Sequence, residues 1–471
     1  MLGDVSTANS NQNTNNSAVK KSFYFTTWRW HFYAGLFVIP FMVMLSITGL
    51  IMLYDDVIEQ AQYGDIIHVE PQNTTVLVSE QLANVKAKYP EATIKQYITP
   101  PSSEEASRFS IVTEQDQGLF ITVNPYTGEV LGEINRDDSW YALANEVHGT
   151  LLIGDTGDRL IEIAASLSVV LLITGLYMWW PRDNASKAGM LKVRLSSGSR
   201  IFWRDLHANL GMLTSLFFVF FLVSGLSWAG IWGGKFVQPW NSFPAEKWAD
   251  VPLSDATHAS MNHGVEEEVP WNLEQTPMPA SHHDHKSGSP QQSMSIDSIV
   301  AFAYQNDFTR FKVNLPSSEE GVYTVSANTM SGDITDARLD RTTHLDQYTG
   351  DVLADVTWQD YSVMAKFMAA GIALHQGDMG TWNRVLNTAL CLIFILISVT
   401  GAVMWWLRRP KGSAKLVAPP MPKNMPVWKS AVVVMSCVSV LFPMAGITLA
   451  TVLILDYVVL SRLSKLKQRF S

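Results

Sequence analysis

Four histidines sit in contexts that answer one another in pairs. His31 lies in Trp28-Arg-Trp-His and His207 in Trp203-Arg-Asp-Leu-His, each at the start of a long apolar run. His148, in Glu146-Val-His-Gly-Thr-Leu, and His375, in Ala373-Leu-His-Gln-Gly-Asp, each precede another such run. Neutral imidazole is the commonest metal ligand among side chains. Two imidazoles facing each other across a helix bundle supply the axial ligands of a six-coordinate haem. Zinc or copper could use the same pairs, although neither pair has Cys or carboxylate partners at close spacing. A histidine at a membrane interface also serves as an anchor or as a hydrogen-bonded helix end. Spacing alone leaves these three roles open.

Other residues carry weaker signals. His258, His263, His282, His283 and His285 stand beside Met261 and Met278 in a Pro/Ser/His-rich stretch. Such tracts bind copper or ferric iron weakly, and a polar linker has the same composition. Glu162 and Asp456 are candidate proton or quinol-site groups, with structural pairing the simpler expectation at an interface. The [Ser/Thr]-Gly dipeptide in every apolar run reads as small-residue helix packing. His68 and His344 read as surface residues of outer strands.

The elements that must position the four histidines are membrane spans. Only 16% of the 471 residues are charged, well below the quarter usual for soluble domains. Four apolar segments, at about 32–54, 160–180, 210–232 and 385–407, each have the ~20 residues needed to cross ~30 Å of hydrocarbon. Trp and Tyr punctuate their ends, as interfacial anchors do. The net charge of −9, with no basic domain, argues against nucleic acid. Cys391 and Cys437 both fall in apolar runs, so no disulfide scaffold or zinc ribbon can be built. There is no C-x-x-C-H for covalent haem attachment and no G-x-G-x-x-G for a dinucleotide.

Charge sets the orientation. The N-terminal tail, the short loops and the C-terminus together hold 19 Lys+Arg against only Asp4, Asp183 and Asp205. The positive-inside rule puts these segments in the cytoplasm and the two long loops outside. The expected order is a disordered tail (1–27), a span (28–54), an outer module (55–159), a span (160–180), a cytoplasmic loop (181–205) and a span (206–232). A second outer module (233–383) with an irregular, mobile insertion (239–295) follows, of which about 257–290 is expected to be dispensable for haem binding. A span (384–407), a loop (408–427), an apolar segment (428–461) and a basic tail (462–471) complete the chain. Pro443 and Gly446 break the C-terminal apolar segment, which reads as a fifth span or a short hairpin.

The halves repeat. His31 precedes Gly49 by 18 residues, and His207 precedes Gly225 by the same 18. Thr174-Gly-Leu-Tyr-Met-Trp-Trp answers Thr400-Gly-Ala-Val-Met-Trp-Trp, and Asn124-Pro-Tyr-Thr-Gly-Glu-Val-Leu answers Asp346-Gln-Tyr-Thr-Gly-Asp-Val-Leu. Each of the last two phrases reads as strand, tight turn, strand, so each outer loop carries a small α+β module. The fold class is a membrane α-helical bundle of four core spans from a tandem parallel repeat, with outer α+β modules. Topology pairs His31 with His207 on the cytoplasmic side and His148 with His375 on the outer side. Two such haem sites would form a transmembrane electron path.

These motifs, together with Pro270-Trp-Asn-Leu-Glu-Gln-Thr-Pro-Met-Pro, resemble the PepSY-associated transmembrane helix family, iron-regulated inner-membrane proteins of Gram-negative bacteria. The resemblance covers nearly the whole chain after about residue 20. It implies PepSY-like periplasmic modules, two b-type haems on His31, His207, His148 and His375, and reduction of a periplasmic ferric siderophore with release of iron. The expected partners are a ferric siderophore, membrane lipid, and a quinol or another protein as electron donor, since the cytoplasmic loops are too short for a flavin domain. The alternatives are a non-enzymatic PepSY protein restraining a periplasmic protease, and a siderophore or metal transporter.

Overall fold

The structure is a computed structural model that describes residues 4–182, 187–237, 245–248, 250–262, 269–270, 273–282, 292–410, 416–420, 428–455 and 457–458; the side chains of 4–21, 236–237 and 245–246 lie outside that description. The helices are α1 (Asp4–Leu53), α2 (Asp55–Ile67), α3 (Val78–Lys88), α4 (Trp140–Thr150), α5 (Asp155–Trp179), α6 (Ser199–Leu213), α7 (Ser215–Leu226), α8 (Ile296–Gln305), α9 (Val363–Gln376), α10 (Thr381–Arg408), α11 (Lys429–Leu441) and α12 (Pro443–Leu455). The chain divides into two compact units, one of Met1–Ile47, Gly149–Gln238 and Ala389–Ser471, the other of Thr48–His148 and Pro239–Thr388.

The first unit is helical. Ser22–Leu53 of α1, α5 and α10 are long and apolar enough to cross a membrane, and α6 with α7 makes a fourth candidate bent by 58°. The bend falls at Thr214, whose hydroxyl donates to Leu210 O at 2.8 Å. A back-bonded threonine of this kind competes with the helix ladder and bends it. Of the expected disordered tail, the residues with described side chains are helical. The hydroxyls of Thr26 and Thr27 bond to Ser22 O and Phe23 O, one turn back. The C-terminal apolar stretch breaks at Phe442 into α11 and α12, each shorter than a span. Val438 and Ala445, either side of the break, pack against Val170 of α5. Asp456 and the basic tail lie outside the described residues.

The second unit is built on one antiparallel sheet. Its strands are β1 (Thr93–Ile98), β2 (Ser107–Val112), β3 (Gly118–Val123), β4 (Val130–Asn135), then β7 (Lys312–Asn314), β8 (Val322–Ala327), β9 (Arg341–Asp346) and β10 (Val352–Thr357). A separate ribbon pairs β5 (Leu253–Thr257) with β6 (Pro277–Pro279). The eight strands run β10-β9-β8-β7-β1-β2-β3-β4, so the two expected modules merge edge to edge through β1 and β7. Pairing the two edges satisfies backbone groups that two free-standing modules would leave open. At this seam the buried Gln96 Nε2 donates to Asn314 Oδ1 at 3.1 Å. α3 and α8 cover the seam, where Val85, Ile299 and Ala303 join Phe109, Ile121, Phe311 and Val325 in one core.

The two repeated phrases form the same turn. Gly128 N–H donates to Asn124 O and Gly350 N–H to Asp346 O, with φ of 75° and 77° at the glycines. That left-handed conformation favours glycine. The side-chain oxygens of Asn124 and Asp346 accept from the backbone N–H of Tyr126 and Tyr348.

The insertion is not a loose linker where it is described. Trp248, Met261, Leu273 and Met278 are buried against Val322 and Val356 of the second half-sheet and against Tyr361. Burying four large apolar side chains stabilises by several kcal/mol in total, which opposes the expected mobility of these residues. His344, expected at the surface, is fully buried beneath the insertion. His68 is exposed, as expected.

Candidate functional site

His31 projects from α1 and His207 from α6, and their ring centroids lie 6.3 Å apart with ring planes at 88°. Each ring is held by the threonine of a Thr-Gly dipeptide on a neighbouring helix. His31 Nδ1 lies 3.0 Å from Thr174 Oγ1, and His207 Nδ1 lies 2.9 Å from Thr400 Oγ1 and 3.0 Å from Ile397 O. The threonine hydroxyls spend their single proton on carbonyls one turn back, Val170 O and Ile397 O. Oγ1 therefore accepts, Nδ1 of each histidine carries the proton, and Nε2 keeps its lone pair. Nε2 of neither ring has a hydrogen-bond partner among the described residues. This is the tautomer a metal-ligating imidazole needs, with its second nitrogen oriented by an acceptor.

The glycines of the same dipeptides make room for the rings. A Cβ on Gly175 would stand 3.2 Å from His31 Cε1, and one on Gly401 3.4 Å from His207 Cε1. The sequence reading of [Ser/Thr]-Gly as packing is thus incomplete. In α5 and α10 the dipeptide seats a histidine, and the signal lay in its recurrence one span away from each His.

The gap has a chemical size. Two imidazoles bound on opposite sides of one metal at about 2.0 Å, with about 1.1–1.2 Å from nitrogen to ring centre, place their centres about 6.3 Å apart. The donor set suits a haem iron: two neutral nitrogens, with no third His, Cys, Asp or Glu gathered beside them among the described residues. Both rings are partly exposed.

The other two histidines belong to the second unit. His148 is on α4, and its Nδ1 lies 2.8 Å from Thr48 Oγ1, again a Thr-Gly threonine. His375 lies in the last turn of α9, and the two rings are close enough that a charge on His148 opposes protonation of His375. Burial first, and then His148, pulls His375 down to about 3; burial alone pulls His148 down to about 4. Both are neutral ligand donors at physiological pH. Gly377, at φ 98°, stops α9 just after His375. Asn387 Nδ2 donates to the carbonyls of Leu374 and His375, at 2.8 and 3.0 Å, and Asn383 Nδ2 to Leu374 O at 2.9 Å. These two buried amides on α10 were invisible to motif reading because their role is to a backbone, not to another motif. Asp378, three residues beyond His375, is held up near 7 by burial and then by Asp55. It is a carboxyl able to hold a proton near neutral pH.

The remaining candidates scatter. Glu162 is buried in α5, accepts from Trp232 N–H at 3.0 Å and pairs with Arg159 at 3.4 Å. It caps the irregular backbone after α7, so its role is structural pairing. His258 contacts His344 rather than another insertion histidine, and His282 donates its backbone N–H to Asp346. His263, His283 and His285 lie outside the described residues. Among the described residues no three His, Cys, Asp or Glu side chains gather as a metal cluster.

No curated protein matches the chain. The family model described as the PepSY-associated TM region matches residues 28–408, a range that begins at the Trp28-Arg-Trp-His31 motif and ends with α10. Apolar helices and this match together make the protein a multi-pass membrane protein, and the chain belongs to the PepSY-associated transmembrane family.

Proposed function

We propose that the protein is an inner-membrane oxidoreductase that carries electrons across the bilayer on two b-type haems and reduces a ferric siderophore on the periplasmic side. The observation that carries this reading is the His31–His207 pair, 6.3 Å between ring centres with both Nδ1 protons tied back and both Nε2 lone pairs unused. A haem bound there supplies reversible one-electron storage without a proton requirement. His31 and His207 hold the group, Thr174 and Thr400 fix their tautomer, and Gly175 and Gly401 admit the rings. His148 and His375 form the second site, with Thr48, Asn383 and Asn387 as its positioning residues. The excess of Lys and Arg in the short loops supports a cytoplasmic N-terminus. On that orientation a quinol or a cytoplasmic protein reaches the first pair, and a siderophore reaches the second. Ferric chelators hold ferrous iron far less tightly, so one electron releases the metal.

A pyridine haemochrome assay tests this directly. Two haems per chain are expected, with His31→Ala or His207→Ala removing one and His148→Ala or His375→Ala the other. A colourless wild-type protein would sink the reading and return the chain to its rivals, protease restraint or transport. Serial order is tested in sided membrane vesicles. His375→Ala should leave one haem reducible by the physiological donor and abolish reduction of ferric siderophore.

A further inference from the structure

The second unit holds another histidine pair, unrelated to the four above. His344 lies on β9, and His258 opens a short 3₁₀ turn, His258–Met261, in the insertion. Their Nε2 atoms are 3.0 Å apart, and both side chains are fully buried. His258 Nδ1 lies 2.8 Å from Thr276 O, a pure acceptor, so Nδ1 carries the proton and Nε2 of His258 presents a lone pair. His344 then donates its Nε2 proton across the pair, and its Nδ1 accepts from Thr324 Oγ1 at 2.9 Å. Trp248 packs against both rings, with centroids 5.6 and 5.7 Å away and its plane tilted by 54° and 50° to them. Met261 and Met278 are buried in the same cluster as Trp248. In a 3₁₀ turn residues i and i+3 eclipse, so the turn sets His258 and Met261 on the same side of its axis.

From this geometry we infer that His258 and His344, with Met261 and Met278, form a site for one soft monovalent cation, Cu(I) or its analogue Ag(I), beneath the face of Trp248. Two nitrogens on one tetrahedral ion at about 2.0 Å stand about 3.3 Å apart, only slightly wider than the pair already is. Binding needs no net loss of a proton. The His344 proton moves from Nε2 to Nδ1, where the Thr324 hydroxyl turns to accept it, and both Nε2 lone pairs then meet the ion. Burial holds His258 down to about 4 and His344 well below its ordinary value, so protons do not compete at neutral pH. The ion's charge class follows from what surrounds it. No cluster of carboxylates or thiolates is present among the described residues to neutralise a divalent ion, and burying such a charge unpaired is prohibitive. Thioethers select soft ions, and the indole face attracts a single positive charge within about 6 Å. Because His344 belongs to the sheet and His258 to the insertion, the ion would pin one to the other.

The test uses full-length purified protein titrated with Ag(I), and with Cu(I) under a reductant and a competing Cu(I) chelator. Bound metal is counted by mass spectrometry, and Cu K-edge absorption reads the ligand atoms. One ion per chain is expected, with nitrogen and sulfur both in its shell. His258→Gln and His344→Gln should each lose that ion, with folding checked by circular dichroism. Met261→Leu and Met278→Leu, which conserve volume, should weaken binding by about tenfold or more. Replacing His263, His283 and His285 together with Ala should leave it intact. Binding that survives His344→Gln, a shell without sulfur, Met→Leu variants of unchanged affinity, or loss in the triple variant would overturn the proposal. The pair would then be a hydrogen-bonded strut. Haem content is read separately in every variant, so this inference and the haem reading fail independently.

Discussion

Two histidine pairs in this molecule use the same side chain in opposite ways. His31 and His207 stand edge to face, 6.3 Å between ring centroids, each tied back by its own Nδ1 and with no hydrogen bond between the rings. His258 and His344 have ring centroids 4.9 Å apart and close on each other, Nε2 to Nε2 at 3.0 Å. In the first pair each threonine orients its ring through Nδ1, and Nε2 is left without a hydrogen bond among the described residues. In the second pair, with no ion bound, the rings satisfy one another through a single Nε2–Nε2 hydrogen bond. The lesson is that histidine chemistry is set by where the second nitrogen's bond goes and how far apart the rings are held. Neither quantity is visible in a count of histidines.

The sharpest way to break the comparison is to remove a ring from the open pair. His207→Ala should abolish one of the two proposed haems outright, measured by haemochrome assay, while the melting of the sheet unit stays unchanged. Next in size is the loss of an orienting acceptor. Thr174→Val or Thr400→Val leaves the ligand but frees its Nδ1 proton from its anchor, and haem affinity should fall by about 10–100-fold, as for other second-layer partners of metal-bound histidine. Haem retention during dialysis against apomyoglobin reads this effect, and unchanged retention would reduce the threonines to packing.

A third contrast concerns stability without any bound group. His344→Leu strands the buried Nε2 acceptor of His258, at a cost of about 1–3 kcal/mol. For a unit of this size that corresponds to a melting decrease of roughly 2–10 °C. His207→Leu in haem-free protein should change melting far less, because no bond between rings is lost; equal decreases would erase the distinction between open and closed pairs. The smallest effect is steric. Gly175→Ala puts a methyl 3.2 Å from His31 Cε1, whereas Gly401→Ala puts one 3.4 Å from His207 Cε1. Both should perturb the haem spectrum, Gly175→Ala the more, and the reverse ranking would argue against the seating geometry.

The apolar runs, the four histidines and the two Tyr-Thr-Gly turns were legible in the amino-acid order, because each depends on neighbours within one helix or one hairpin. Hydropathy periodicity marks a span whatever it packs against, and a Gly at a left-handed turn position is a local requirement. Even the pairing of His31 with His207 was legible through their matched contexts. The merging of two modules into one sheet was not, since β1 and β7 are more than two hundred residues apart and a strand edge carries no label for its partner. The bend at Thr214, the role of Thr174 and Thr400, and the amides of Asn383 and Asn387 were likewise missed, because a short polar side chain has many possible acceptors until helices are packed. His344 illustrates the limit most plainly. Its strand pattern predicts a surface position, and only the folding of a distant insertion over β9 turns it into the inner half of a buried pair. Local order fixes what a segment can be; which nitrogen meets which oxygen, and whether two rings touch or stand apart, is decided by contacts between segments that are remote in the chain.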